Sequence, residues 1–226
     1  MQPGAALRTV YYSLLFEEMS LALPVLVRGI NNLSDARYCA GMGAQGLIFT
    51  LDANLPGAVD AGTARELASW VAGVDIIGEF GHVAGPEINR LVEECGLTGV
   101  LLRLDNTRTS LPQGLAVPAL IEVPPVLITD QHYYTAAIAD LTAAFPQGFA
   151  FFTMMPPGDA VEQAYWSSLA RLAPLWLVGP ATGAEARQLA EAVHPAGLIL
   201  AGGDEIKPGL RDFTELEAVF EALEEA

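Results

Sequence analysis

The stretch from Val25 to Thr50, VLVRGINNLSDARYCAGMGAQGLIFT, decides the fold. It opens with an apolar run, Val25–Arg28, whose last residue is charged. Ser34–Met42 follows with Ala36, Cys39 and Ala40 at helical spacing on one face. A second apolar run, Gly46–Thr50, closes the unit. Neither run alternates with polar residues, as strands buried on both faces do not. Strand, helix, strand within so short a span implies a parallel pair joined by a helical crossover.

The same alternation continues to the end of the chain. Further strands are expected at Val74–Phe80, Gly99–Arg103, Ala119–Val123, Phe149–Thr153, Leu175–Val178 and Gly197–Leu200. Helices are expected at Thr63–Val71, Pro86–Cys95 and Gln131–Phe145, the last with Asp130 as its N-cap. Gly158–Asp159 opens another. Thr182 with Glu185 has capping-box spacing, and a final helix runs from about Asp212 to Glu225. Only Asp105–Pro118 lacks helical pattern, which makes the fourth crossover a short irregular connection. Strand alternating with helix about eight times reads as an α/β protein, a single (β/α)8 TIM barrel; a doubly wound open sheet is the alternative. Residues 1–23 form an N-terminal extension that packs on the barrel or a partner subunit, and residues 24–226 form the barrel.

Bulk composition agrees with one well-packed domain: 226 residues, 52% hydrophobic, only 17% charged. A formal net charge of −16 excludes nucleic acid and anionic membrane surfaces as partners, since both need basic patches. The apolar run Val10–Phe16 is too short to span a bilayer and has no small-residue cleavage site after it. Cys39 and Cys95 fall on helical stretches, with no metal-ligand spacing. Buried thiols without a secretion signal point to the cytoplasm. No dinucleotide fingerprint or phosphate-binding Walker loop is present, so neither metal nor cofactor is expected.

Two stretches resemble the phosphoribosylanthranilate isomerase family. Val27-Arg28-Gly29-Ile30-Asn31-Asn32-Leu33-Ser34-Asp35-Ala36 is similar to that family's first strand and turn, KICGITNxxDA, and Gly43–Phe49 to its GADALGFIF second strand. Gly202-Gly203-Asp204-Glu205-Ile206-Lys207-Pro208-Gly209-Leu210-Arg211-Asp212 resembles the phosphate loop and last helix start, SSGVE…PGxKD. The resemblance spans about Val25 to the C-terminus and implies a (β/α)8 barrel. It also implies an Amadori rearrangement of an aminoaldose in tryptophan biosynthesis, with a strand-one cysteine as general base and a strand-six aspartate as general acid.

Those two positions hold Arg28 and, at or near it, Thr153. Arginine stays protonated and cannot act as base, and a threonine hydroxyl is too weak an acid to replace a carboxyl. The loop after strand seven carries Pro180 where the family has glycine, which removes one N–H from a phosphate nest. The expectation is therefore a barrel without the isomerisation. It binds an anionic or phosphorylated small molecule through Arg28, Arg103, Gly179, Gly202 and Gly203, or it serves as a scaffold. The alternative is a working isomerase, or a related sugar-phosphate isomerase, with Glu122 or His82 as displaced catalytic groups. Barrel chemistry sits at the C-terminal ends of strands, where Arg28, Glu79, Arg103, Glu122, Thr153 and Asp204 fall. The two arginines and two glutamates pair with one another, or Arg28 and Arg103 hold a ligand's carboxylate or phosphate in a forked grip, or a shift in strand register turns some of these side chains toward the helices. A homodimer is left open.

Overall fold

Eight strands, parallel throughout, close on themselves: β1 Val25–Arg28, β2 Gly46–Thr50, β3 Asp75–Phe80, β4 Gly99–Leu102, β5 Ala119–Glu122, β6 Phe149–Thr153, β7 Leu175–Val178 and β8 Gly197–Ala201. The open-sheet alternative is excluded, because β8 pairs with β1 from Val25↔Leu198 to Arg28↔Ala201. This computed structural model describes residues 21–104, 111–122, 131–153, 158–180, 182–202, 204–207 and 210–224. Seven helices occur among them: α1 Leu33–Gly41, α2 Ala61–Ser69, α3 Gly85–Cys95, α4 Gln131–Ala144, α5 Ala160–Ala170, α6 Gly183–Val193 and α7 Thr214–Leu223.

Local chemistry starts these helices where their backbones would otherwise carry unpaired N–H groups. The Asn32 side chain accepts from Asp35 N at 3.0 Å, Asp60 from Thr63 N at 3.0 Å, and Asp159 from both Val161 N and Glu162 N at 2.9 Å. Thr182 and Glu185 form the reciprocal capping box that their spacing implies. Asp130 lies outside the described residues. Between β4 and β5, residues 111–118 contain no helix, as the proline and glycine content there implies.

The C-terminal stretch departs from the sequence reading. Asp204–Lys207 (β9) and Leu210–Asp212 (β10) form an antiparallel pair after β8. The last helix therefore begins at Thr214 rather than Asp212, whose Oδ1 instead accepts from Thr214 N at 2.9 Å.

Register sorts every strand into two faces, because paired residues in a parallel sheet point the same way. One set, including Val25, Val27, Leu47, Phe49, Phe80, Val100, Leu102, Phe151, Leu175 and Leu198, packs in the main core against the helices. The other fills the lumen: Leu26, Ile48, Ile77, Leu101, Phe152 and Ile199, with Leu120, Trp176 and Val178 against them. At the lumen floor stand Gly46, Gly99, Ala150 and Gly197, linked through the strand pairings. Small residues are needed there because large ones lean over them. A Cβ on Gly197 would lie 2.3 Å from the Trp176 ring, and one on Gly46 2.8 Å from Leu26 Cδ2. Alternating small and large layers fill the barrel solidly and leave its C-terminal mouth as the place for a site.

Candidate functional site

Two residues beyond the lumen leucines and isoleucines, the same parity places Arg28, Thr50, Glu79, Arg103 and Glu122 at the mouth. Glu79 is the buried centre of the group, 1% exposed. Arg28 grips it with both ends of its guanidinium, Nε to Oε2 at 3.0 Å and Nη2 to Oε1. The Thr50 hydroxyl donates to the same Oε2 at 2.8 Å. Forked pairing satisfies both carboxylate oxygens, and that is what makes a charge tolerable at this depth.

The pattern extends outward more loosely. Arg103 Nε lies 3.9 Å from Glu79 Oε1 and 3.7 Å from Glu122 Oε2. Glu122 Oε2 accepts the Leu104 amide at 3.0 Å, which ties the end of β5 to the chain leaving β4. Burial raises the Glu122 carboxyl above the ordinary carboxylate range, against the opposing pull of the Leu104 amide, Arg103 and Arg28. Arginine and glutamate thus alternate along β1, β3, β4 and β5, and the four charges cancel.

A second polar anchor stands just behind the mouth. Asp52, 2% exposed, accepts Asn54 N at 2.9 Å on Oδ1. Its Oδ2 takes Gly81 N at 3.0 Å and His82 N at 3.1 Å. The loops after β2 and β3 are pinned together in this way. Burial pushes the Asp52 carboxyl up, but donors from Asn54, Gly81 and His82 outweigh it and leave its pKa lowered.

The remaining residues singled out from the sequence are distributed differently. Thr153 shares the parity of Phe151, which packs in the main core, so it faces the helix layer and is 2% exposed. One step of register separates it from the lumen, where Phe152 points. Gly179 N donates to Ile199 O at 2.8 Å, and Gly202 N to Arg28 O at 2.8 Å. Both amides are therefore committed to the barrel. Gly203 lies outside the described residues, and of Asp204 only the backbone is described. His82 is exposed, and its contact with Asp52 is through the backbone. His194 caps α6 in the left-handed conformation, φ 53°, and His132 lies in α4 with its side chain outside the described set. Cys39 and Cys95 are buried and unlinked. No cluster of metal-ligating side chains occurs among the described residues, and no helix among them is long and apolar enough to cross a membrane.

Sequence reasoning missed Thr50 and Asp52. Counting two residues on from the lumen Ile48 reaches Thr50, but the use of its hydroxyl shows only once Glu79 is seen beside it. Asp52 belongs to a loop, where no periodicity signals which backbone groups will converge on it.

Comparison with known proteins then bears on the whole chain. No family model matches it. N-(5'-phosphoribosyl)anthranilate isomerase of Trichormus variabilis is 30% identical over 218 residues, with 88% of this chain and 97% of that protein covered. The Pseudomonas putida W619 protein of the same name is 27% identical over 205 residues, covering 88% and 96%. Among solved structures, phosphoribosyl anthranilate isomerase from Thermus thermophilus superimposes with a TM-score of 0.67 at 23% identity, over 89% of this chain and 98% of that one. A phosphoribosyl anthranilate isomerase in complex with reduced 1-(o-carboxyphenylamino)-1-deoxyribulose 5-phosphate gives a TM-score of 0.66 at 17% identity, over 89% of this chain and 98% of that one. With a closed parallel barrel and a curated relative matched along nearly its full length, this chain belongs to the phosphoribosylanthranilate isomerase family.

Proposed function

We propose that this chain is a cytoplasmic phosphoribosylanthranilate isomerase-like barrel that has lost the Amadori isomerisation and binds a small molecule bearing a carboxylate at its mouth. The observation that carries the reading is the fork between Arg28 and buried Glu79. A residue at the family's base position that is permanently protonated, and held by a carboxylate beneath it, cannot abstract a proton. On the acid side, the residues at or near the family's position, Phe152 in the lumen and Thr153 facing the helix layer, carry no carboxyl. What the mouth retains is recognition chemistry. Arg28 and Arg103 keep 21% and 30% of their side chains exposed, within a rigid, hydrogen-bonded frame suited to hold a carboxylate.

The test is a turnover assay with phosphoribosylanthranilate, followed by loss of substrate fluorescence, beside calorimetric titration of small carboxylates. The expected result is no turnover with measurable carboxylate binding. Turnover by the unmodified protein overturns the reading.

One observation favours a second reading, an isomerase with a displaced base: burial raises the Glu122 carboxyl toward the range useful for proton transfer. In that case the protein turns over phosphoribosylanthranilate or a related sugar phosphate, and Glu122→Gln abolishes the rate with little change in KM.

A further inference from the structure

We infer that the outer face centred on α1 is an interface for a second copy of this chain, paired by a two-fold axis along α1 so that Arg37 and Trp70 of each copy meet Glu217 and Glu221 of the other. The face lies on the helix layer, away from the mouth, and its role is independent of what the mouth binds.

Three observations lead to it. First, charge leaves this face open to association. Copies of a chain with a formal net charge of −16 repel one another over most of their surface. Helices α2 to α7 each show at least one exposed acidic side chain, Glu66, Glu87, Asp140, Glu162, Glu185 and Glu215 among them. On α1 there is none: its one acidic residue, Asp35, is buried, and its exposed ridge is Ser34, Arg37 and Gly41. Repulsion between copies is therefore lowest here.

Second, the face carries an open aromatic anchor. Trp70, at the C-terminal end of α2, is 56% exposed. Among the described residues no other tryptophan, tyrosine or phenylalanine is exposed. Arg37 reaches across from α1, its Cζ 5.7 Å from the centre of the Trp70 ring. Tryptophan and arginine are the side chains enriched at the energetic centres of protein contacts. Leu33, Met42 and Val71, each partly exposed at the edge of the core, widen the apolar surface around them.

Third, the face is complementary to itself. While Arg37 leans toward α2, Tyr38 leans toward α7 and stacks on Phe213 at 4.1 Å. Burial first, then Glu217, Cys39 and Glu221, push the Tyr38 hydroxyl up, which sets both carboxylates on the α1 side of α7. Glu217 and Glu221 are exposed and one turn apart. Among the described residues neither they nor Arg37 take part in an ion pair. An acidic edge and a basic, aromatic edge thus flank α1 on opposite sides at one height. A two-fold axis along α1 exchanges left for right without changing height, so each edge meets its opposite twice.

The experiment is sedimentation velocity on the full chain from about 1 to about 100 μM, beside acrylamide quenching of tryptophan fluorescence. Dimerisation in about the micromolar range is expected, with quenching reduced as the dimer forms, because Trp70 is the most exposed of the three tryptophans. Arg37→Glu alone, or Glu217→Arg with Glu221→Arg, should weaken association roughly tenfold or more, since the like-charge clash occurs twice per dimer. Mixed in equal amounts, these two variants should pair again, each supplying the charge that the other lacks. Both are checked for native melting behaviour. A chain that stays monomeric over the whole range overturns the inference, and so does a dimer indifferent to both variants. Failure of the weakened variants to pair when mixed overturns the two-fold arrangement. Quenching that is low at every concentration would mean that the face is covered within a single chain, and it overturns the inference as well.

Discussion

Arg28 and Glu79 illustrate how much one buried partner controls another. Glu79 has almost no solvent contact, and its oxygens are met by Arg28 and Thr50. Replacing it by glutamine removes the charge that the Arg28 guanidinium grips with two nitrogens, which costs about 3 kcal/mol. Replacing both partners by hydrocarbon, Arg28→Met with Glu79→Leu, removes the desolvation problem together with the attraction. Urea denaturation should therefore show the single variant less stable than the double one; a double variant as unstable as the single would contradict the pairing account. Cys39 is a different kind of buried group. Burial first, and the nearby Asp35 carboxylate second, push its thiol up to about 12. Its reaction with a disulfide reagent at pH 8 is expected only on unfolding, whereas rapid labelling of Cys39 in the native protein would place it nearer the surface than the barrel allows.

At the scale of strands and helices, glycine placement determines how the barrel closes. Gly46 and Gly197 lie on the lumen floor beneath Leu26 and Trp176, and neither tolerates a Cβ without displacing its neighbour. Gly197→Ala should destabilise by about 1–3 kcal/mol through overpacking. Trp176→Leu, which removes the ring that would clash, should recover part of that loss; a fall in melting temperature that Trp176→Leu leaves uncorrected would mean the floor relaxes elsewhere. Outside the barrel, the same economy of space brings α6 and α7 together. Gly183 packs on the backbone of α7, where an added Cβ would stand 2.4 Å from Ala218 O, and Arg187 Nε reaches Ala222 O at 2.6 Å. The strands were readable to within a residue or so of their ends, because runs such as GLIFT and FAFFT are apolar without alternation. The pairing of β9 with β10 was not, because a short polar segment with one proline and one glycine carries no strand periodicity.

Across the whole molecule, the polar anchors couple stability to pH. Asp52 has a lowered pKa in the folded protein, so its contribution is present above the unfolded value of about 3.9 and is lost as pH falls through the folded one. Glu122 is raised, and its carboxyl has the opposite sign: folding is favoured while it is protonated, and that advantage fades as pH rises through the folded value. Asp52→Asn should be less stable at pH 7, with its deficit shrinking as pH drops below about 4. A constant deficit across that range, read from denaturation midpoints, would show that the carboxylate charge does not matter. The segment just before β1 also meets the end of α7, with Ala22 N donating to Leu223 O at 2.7 Å beside the Leu21↔Glu224 bridge.

By itself the sequence determined the strand and helix order, because hydrophobic period and turn chemistry are local properties, and its first-strand and last-loop motifs carried the resemblance to the family; closure into a barrel rather than an open sheet was decided by the pairing of β8 with β1. The sequence also placed arginine where a base should stand. Which charges meet was decided only by tertiary structure. Arg28 and Glu79 are distant along the chain, and nothing local to either residue records the other. The direction of Thr153 depended on register as well, where one step exchanges lumen for helix layer. Strand pairing around the closed barrel fixes that step, because every strand must satisfy the register of both its neighbours at once.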